Sequence, residues 1–219
     1  MTEREAAQAH LLAADPRLAQ LAAEQGLVDP YEWPGIPVRG GDLLGGLVLH
    51  IVAQQISTAA ALAIFGRLRT LLGGEIVAEP MAAASEEELR SVGLSGAKAR
   101  ALQEIGQRVS AGTLDLAALR GLDDDDAQEQ LTALRGVGPW SAQMFLLHEL
   151  QRPDVFPAAD VALRGAIARL DRLPAVPGPR EAADRAAAWA PYRSYAAAHL
   201  WSSNRRASES RARRASSTA

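Results

Sequence analysis

The chain has 219 residues, enough to bury a sizeable core as one large domain or as two lobes folded together. Hydrophobic residues make up 48%, swollen by alanine, which loses the least free energy on entering a helix, so the composition predicts an all-α protein. The absence of cysteine excludes disulfides, thiolate zinc sites, iron–sulfur clusters and cysteine nucleophiles, and a formal charge of -3 argues against DNA affinity carried by a broad basic face.

From Met1 to Gln20 the chain lacks the basic-then-apolar order of a secretory signal, and no apolar run approaches the roughly 20 residues that span a bilayer. The reading is a cytoplasmic protein without a membrane partner. Leu11 to Leu27 reads as an amphipathic helix, followed by a Pro/Gly-rich connection from Val28 to Gly41. Leu43 to Ala53 is the next helix. Gln54, Gln55 and Ile56 then lead into Ser57 to Leu72, with Ser57 as N-cap, Leu62, Phe65, Leu68 and Leu72 on one face, and Gly73 and Gly74 as the stop. Ser85 with Glu88 forms a capping-box pattern for a short helix ending at Gly93, and a longer helix runs from Ser95 to Ala111.

The acidic run Asp123 to Asp126 suits a helix N-terminus, and that helix is expected to reach Leu134. Gly136 and Gly138 stop it, and Pro139 fits the first position of a helix continuing through Trp140, Phe145 and Leu150. The result is a helix, a tight glycine turn and a helix over about 125–150. Two glycines around an apolar residue let the backbone approach another molecule closely, and the unpaired amides at a helix start suit a phosphate. A plain structural corner, with Gly136 as C-cap and Val137 packed inward, satisfies the same residues. Val161 to Leu170 and Pro179 to Leu200 supply the last helices. Residues 205–219, with Arg205, Arg206, Arg211, Arg213 and Arg214 against Glu209, read as a disordered tail behind a domain spanning 1–204.

Four segments occur in a meaningful order: IVAQQISTAAA, GLSGAKARAL, LTALRGVGPWSAQMFLLHELQRPDVFPAADVALRGAI and WAPYRSYAAAHLW. Together they resemble the helix-hairpin-helix (HhH-GPD) DNA glycosylase superfamily, and within it the AlkA-like 3-methyladenine enzymes in a compact form without an N-terminal β-domain. The resemblance implies a two-lobed all-α fold with its active-site cleft between the lobes, and a monomer that acts on damaged double-stranded DNA near the nucleoid. It implies hydrolysis of the N-glycosidic bond of alkylated bases such as 3-methyladenine. The alternatives are a non-catalytic hairpin protein that only grips DNA, or a glycosylase for oxidised or deaminated bases.

By the same resemblance Asp160 is the catalytic carboxylate, since breaking this bond builds positive charge on the sugar that a fixed carboxylate stabilises. Asp160 is equally placed to N-cap the Val161 helix. Trp140 stands where strand-cleaving relatives carry a lysine, and the only lysine of the chain is Lys98 in the GLS-x-x-K segment, which implies a monofunctional enzyme. Trp140, Met144 and Trp201 are the implied base pocket, with Met144 at a position where a stacking aromatic is usual. Gln54, Gln55, Ile56 and Ser57 are the implied DNA-entering turn, with Ile56 the better wedge and Gln55 the second choice. Gly136, Val137 and Gly138 are the implied phosphate grip. No cofactor is required; a structural monovalent cation on the carbonyls of Thr132, Leu134 and Val137 is the one metal the resemblance suggests. His10, His50, His148 and His199 lack partners at metal-ligand spacing and read as structural or surface residues.

Overall fold

The computed structural model describes residues 1–26, 28–31 and 41–216, with side chains as far as 206. The described residues form helices and turns only, and no helix among them is long and apolar enough to cross a membrane. The chain divides into two compact units: Met1–Pro34 together with Arg152–Ala219, and Gly35–Gln151.

The unit Gly35–Gln151 is built on α3 (Leu43–Ala53), which is buried from Gly45 to Val52 because its sequence is apolar nearly all round. Gly46 is required there, since a Cβ would lie 2.2 Å from the buried side chain of Glu149. α4 (Thr58–Leu71) starts at the Ser57 cap and buries Ala61, Phe65 and Leu68, with Leu72 just beyond its end. Leu62 is only half-buried, so the packed stripe is rotated from the expected one by one residue. α5 (Ala78–Ala83) has no counterpart in the sequence reading, because six residues are too short to show a helical period. It packs closely on α7 (Gly96–Ser110), where a Cβ on Gly106 would meet the Ala78 carbonyl and the Ala82 amide at 2.8 Å. Between them, α6 (Glu86–Ser91) carries the full Ser85/Glu88 capping box. α8 (Asp124–Thr132), capped by Asp123, and α9 (Pro139–His148) complete the unit.

The other unit begins with α1 (Glu3–Ala14) and α2 (Pro16–Gln25) in place of the single helix expected from Leu11, and Leu27 lies outside the described residues. The break falls where Pro16 cannot donate a backbone bond and Asp15 caps the new helix through Arg17 N and Leu18 N. Much of the expected connection from Val28 to Gly41, residues 32–40, also lies outside the described set. α10 (Val161–Asp171) and α11 (Pro179–Ala186) follow. The single helix expected over Pro179 to Leu200 is interrupted around Pro191, and α12 (Arg193–Ser216) restarts the chain beyond it. Its backbone stays helical through Ser216, where the composition of 205–219 predicts a disordered tail. Arginine and alanine are strong helix formers, and the run contains neither Gly nor Pro to stop a helix already under way. Residues 217–219 lie outside the described set.

Candidate functional site

In the unit Gly35–Gln151 the hairpin has the helix–turn–helix form read from its glycines. α8 ends at Thr132, the Val137 amide donates to the Leu134 carbonyl at 3.1 Å, and Gly136 takes a φ of 78°, a left-handed conformation that favours glycine. A Cβ on Gly136 would also stand 2.6 Å from Ala101 Cβ, so the position excludes side chains twice over. Gly138 differs, with a φ of -90° and open space where its Cβ would point. Gly138 is the N-cap of α9 and provides no side chain to cap it, while Val137 is buried. The turn therefore offers backbone amides at a helix start, backed by a packed apolar residue.

Gln54 and its neighbours form the junction of α3 and α4. The Gln54 side-chain amide donates to the Gly136 carbonyl and to Ser141 Oγ, both at 2.8 Å. That residue thus tethers the junction to the hairpin. Gln55 holds a φ of 60° and is exposed, and Ile56 is 39% exposed, so both project from the turn and neither is packed in a core. The Ser57 hydroxyl is occupied in capping α4, accepting from Ala60 N at 3.3 Å. Lys98, from the first turn of α7, donates its Nζ to the carbonyls of Val52 and Gln54, both at 2.9 Å, and desolvation holds its pKa below the ordinary lysine value. On α9, Trp140 is half-buried and Met144 is buried.

In the unit containing Arg152–Ala219, Asp160 is half-buried and is the N-cap of α10. Its Oδ1 accepts the Leu163 amide at 2.9 Å and the indole Nε1–H of buried Trp201 at 3.4 Å. The capping role and a chemical role are thus compatible: the cap and the indole hold one carboxylate in a single orientation at the positive end of a helix dipole. The loop leading to Asp160 is clamped by two residues to which the sequence reading assigned no role. Arg193 pairs with Asp154 through Nε at 2.7 Å and Nη2 at 2.9 Å, and its own amide also donates to Asp154. Ser194, fully buried, accepts the Val155 amide at 3.0 Å and reaches the Arg152 carbonyl at 2.6 Å, while its amide donates to Pro153 O. Both residues lie in the WAPYRSYAAAHLW segment, so the motif was visible while the partner across the loop was not.

Among the described residues no group of three His, Cys, Asp or Glu gathers to hold a metal. His50 stands beside buried Glu149, its Nε2 3.5 Å from Oε1. It also stacks on His148 at 5.7 Å. His199 is buried between Gln8 and Gln25, and burial pushes its pKa down to about 4.

Residues 48–191 match the HhH-GPD superfamily of base excision DNA repair proteins. YfjP of Bacillus subtilis is 35% identical over 125 residues, which cover 57% of this chain and 44% of that protein. The DNA-3-methyladenine glycosylase 1 of Schizosaccharomyces pombe is 30% identical over 162 residues, covering 73% of this chain and 71% of the relative. Among solved structures, the Schizosaccharomyces pombe 3-methyladenine DNA glycosylase in complex with abasic DNA superposes with a TM-score of 0.81 at 28% identity, covering 89% of this chain and 94% of that one. The chain thus spans less than half the length of the first of these relatives and most of the length of the other two.

Proposed function

The chain belongs to the HhH-GPD superfamily of base excision DNA repair proteins, and from that membership we propose that it is a monofunctional DNA glycosylase hydrolysing the N-glycosidic bond of alkylated bases such as 3-methyladenine. The observation that carries the reading is the seating of Asp160, oriented by Leu163 N and Trp201 Nε1 at the end of a loop clamped by Arg193 and Ser194. In the reaction the bond from C1′ to the base nitrogen breaks and the base leaves with the electron pair. The oxygen of a water then bonds to C1′ and its proton passes to the Asp160 carboxylate, which returns it to solvent. An alkylated purine already carries positive charge, so it leaves readily, and a fixed carboxylate stabilises the oxocarbenium-like sugar and orients the water.

The partner is damaged double-stranded DNA, bound by a monomer in the cytoplasm at the nucleoid. The hairpin amides of Gly136 to Gly138 grip a phosphate, and Gln55 and Ile56 enter the gap left by the extruded nucleotide, an insertion that costs a few kcal/mol of unstacking. Trp140, Met144 and Trp201 supply apolar surface for the extruded base. A monovalent cation fits the hairpin chemistry. Thr132 ends α8, so its carbonyl lacks an intrahelical amide, and the carbonyls of Leu134, which keeps a second lone pair beside the one accepting the Val137 amide, and of Val137 would add neutral oxygens. Such an ion would offset phosphate charge.

The direct test is release of free base from a methylated duplex by the purified protein, compared with Asp160→Asn. Release by the wild type and its loss in the variant support the reading. Equal turnover by the two proteins overturns the assignment of Asp160, and no release by either overturns the enzyme.

A further inference from the structure

We infer that Lys98 and Gln54 are positioning residues that hold the turn Gln54–Ile56 in its DNA-entering shape and lock it to the hairpin. The inference rests on the proposed glycosylase reading, in which that turn enters the duplex. α3 ends at Ala53, and its last carbonyls have no amide one turn further on to accept from. That end of a helix carries partial negative charge, which favours a cation. Lys98 supplies one from a different helix, with Nζ 2.9 Å from the carbonyls of Val52 and Gln54.

The two bonds flank the point where the chain leaves helical geometry. Directly after it Gln55 is held at a φ of 60°, a conformation that a non-glycine residue keeps only when its surroundings impose it. The backbone bonds available locally are long, with Gln54 N to Ile51 O and Ile56 N to Ala53 O both at 3.4 Å. The shape of the turn is therefore imposed by the two side chains more than by its own ladder. From the other side, Gln54 Nε2 spans to Gly136 O and to Ser141 Oγ, and Ser141 is 1% exposed. Lys98 fixes the backbone of Gln54, and Gln54 fixes the hairpin. Apart from four histidines, every other basic side chain of the protein is arginine. At this one position a compact ammonium with three donors fits between two carbonyls, where a planar guanidinium needs a wider space.

The absence of cysteine makes a chemical rescue possible, because Lys98→Cys gives a single thiol that bromoethylamine converts into a thioether analogue of lysine. Wild type, Lys98→Met, Gln54→Met, and Lys98→Cys before and after aminoethylation are compared in four measurements: thermal melting, affinity for undamaged duplex, insertion and base release. Insertion is read as fluorescence of 2-aminopurine placed beside a tetrahydrofuran abasic analogue, which needs no chemistry. Base release is read in a single turnover. Lys98→Met and Gln54→Met are expected to lower insertion and release together by about tenfold or more, since a misplaced positioning element is costly. Undamaged-duplex affinity of Lys98→Met should stay within about twofold, because Lys98 bonds Val52 and Gln54 and makes no contact with the hairpin phosphate grip that carries it. Aminoethylation should restore insertion to Lys98→Cys. Variants that insert like the wild type overturn the inference. So does a parallel loss of insertion and undamaged-duplex affinity that aminoethylation leaves unrepaired. If Lys98→Met does not melt cooperatively, Gln54→Met decides on the same measurements. A wild type that neither inserts nor releases base overturns the glycosylase reading, and this inference with it.

Discussion

Oδ1 of Asp160 accepts both the Leu163 amide and the Trp201 indole, so two substitutions separate its duties. Asparagine caps a helix about as well as aspartate, and Asp160→Asn should therefore melt like the wild type while base release falls by about 100-fold to 1,000-fold, the loss typical of removing one electrostatic stabiliser. Asp160→Ala should lose the activity and also about 1 kcal/mol of stability with the cap. Melting curves beside single-turnover release distinguish the two. Trp140 leads to a separate expectation, because an indole cannot form a Schiff base with the sugar. After complete reaction the product strand should remain intact until alkali or heat is applied, and borohydride should trap no protein–DNA adduct. The one lysine, Lys98, has its amine bonded to Val52 O and Gln54 O. Strand cutting without alkali would end the monofunctional assignment, and a borohydride-trapped adduct located at Lys98 would show that this amine reaches the sugar.

The two hairpin glycines look equivalent in sequence and are not equivalent in the folded turn. Gly136→Ala must place a side chain at a φ of 78° and 2.6 Å from Ala101 Cβ, so it should destabilise the hairpin by about 1–3 kcal/mol and weaken DNA binding as a consequence. Gly138→Ala meets open space at a φ of -90°, so it should leave melting nearly unchanged. Any loss of affinity it causes should be the same for damaged and undamaged duplexes, because a phosphate contact carries no base information. Fluorescence anisotropy with both duplexes checks this, and a loss confined to the damaged one would contradict the phosphate grip.

Protons should destabilise the unit containing both termini in two steps. Burial depresses the His199 pKa to about 4, below the ordinary 6.5, so the unfolded chain binds this proton more readily. The ring's contribution to stability is therefore complete above about pH 6.5 and is lost as the pH falls toward 4. A Gln25 amide turned with its nitrogen toward the ring suits a neutral imidazole that accepts at Nδ1 and donates from Nε2 to Gln8. At lower pH a second group enters. Burial would raise the Asp15 and Asp171 pKa values, but the hydrogen bonds and charge of Arg185, with Trp189 on Asp15 and Arg17 on Asp171, outweigh it and hold both below the usual carboxylate range. Their stabilisation persists down to about pH 4 and is lost below it. Melting temperature followed from neutral pH to about 3 should show both steps. His199→Gln should remove the upper one, and a variant that still loses stability between pH 6.5 and 4 as the wild type does would refute the assignment.

Local chemistry was legible wherever a helix end is specified by its own neighbours. Ser57 and Ser85 cap the helices they were expected to cap, Ser95 and Asp123 cap helices whose starts were expected there, and Pro139 opens α9. Caps and glycine stops act within one helical turn, so they can be read in order along the chain. The same logic misjudged Pro16 and Pro191, where an otherwise continuous periodic pattern masked a break. Asp160 was legible as a candidate because its motif surrounds it. Its orientation by Trp201 was not, and neither were the Ser194 clamp, the tether from Gln54 to Gly136 or the Lys98 cap. These contacts join residues 41, 42, 82 and 44 positions apart, and no periodicity or capping rule reaches that far. Which helix faces which is decided by burial of apolar faces from both partners, and only that packing determines where a long polar side chain finds an unpaired carbonyl.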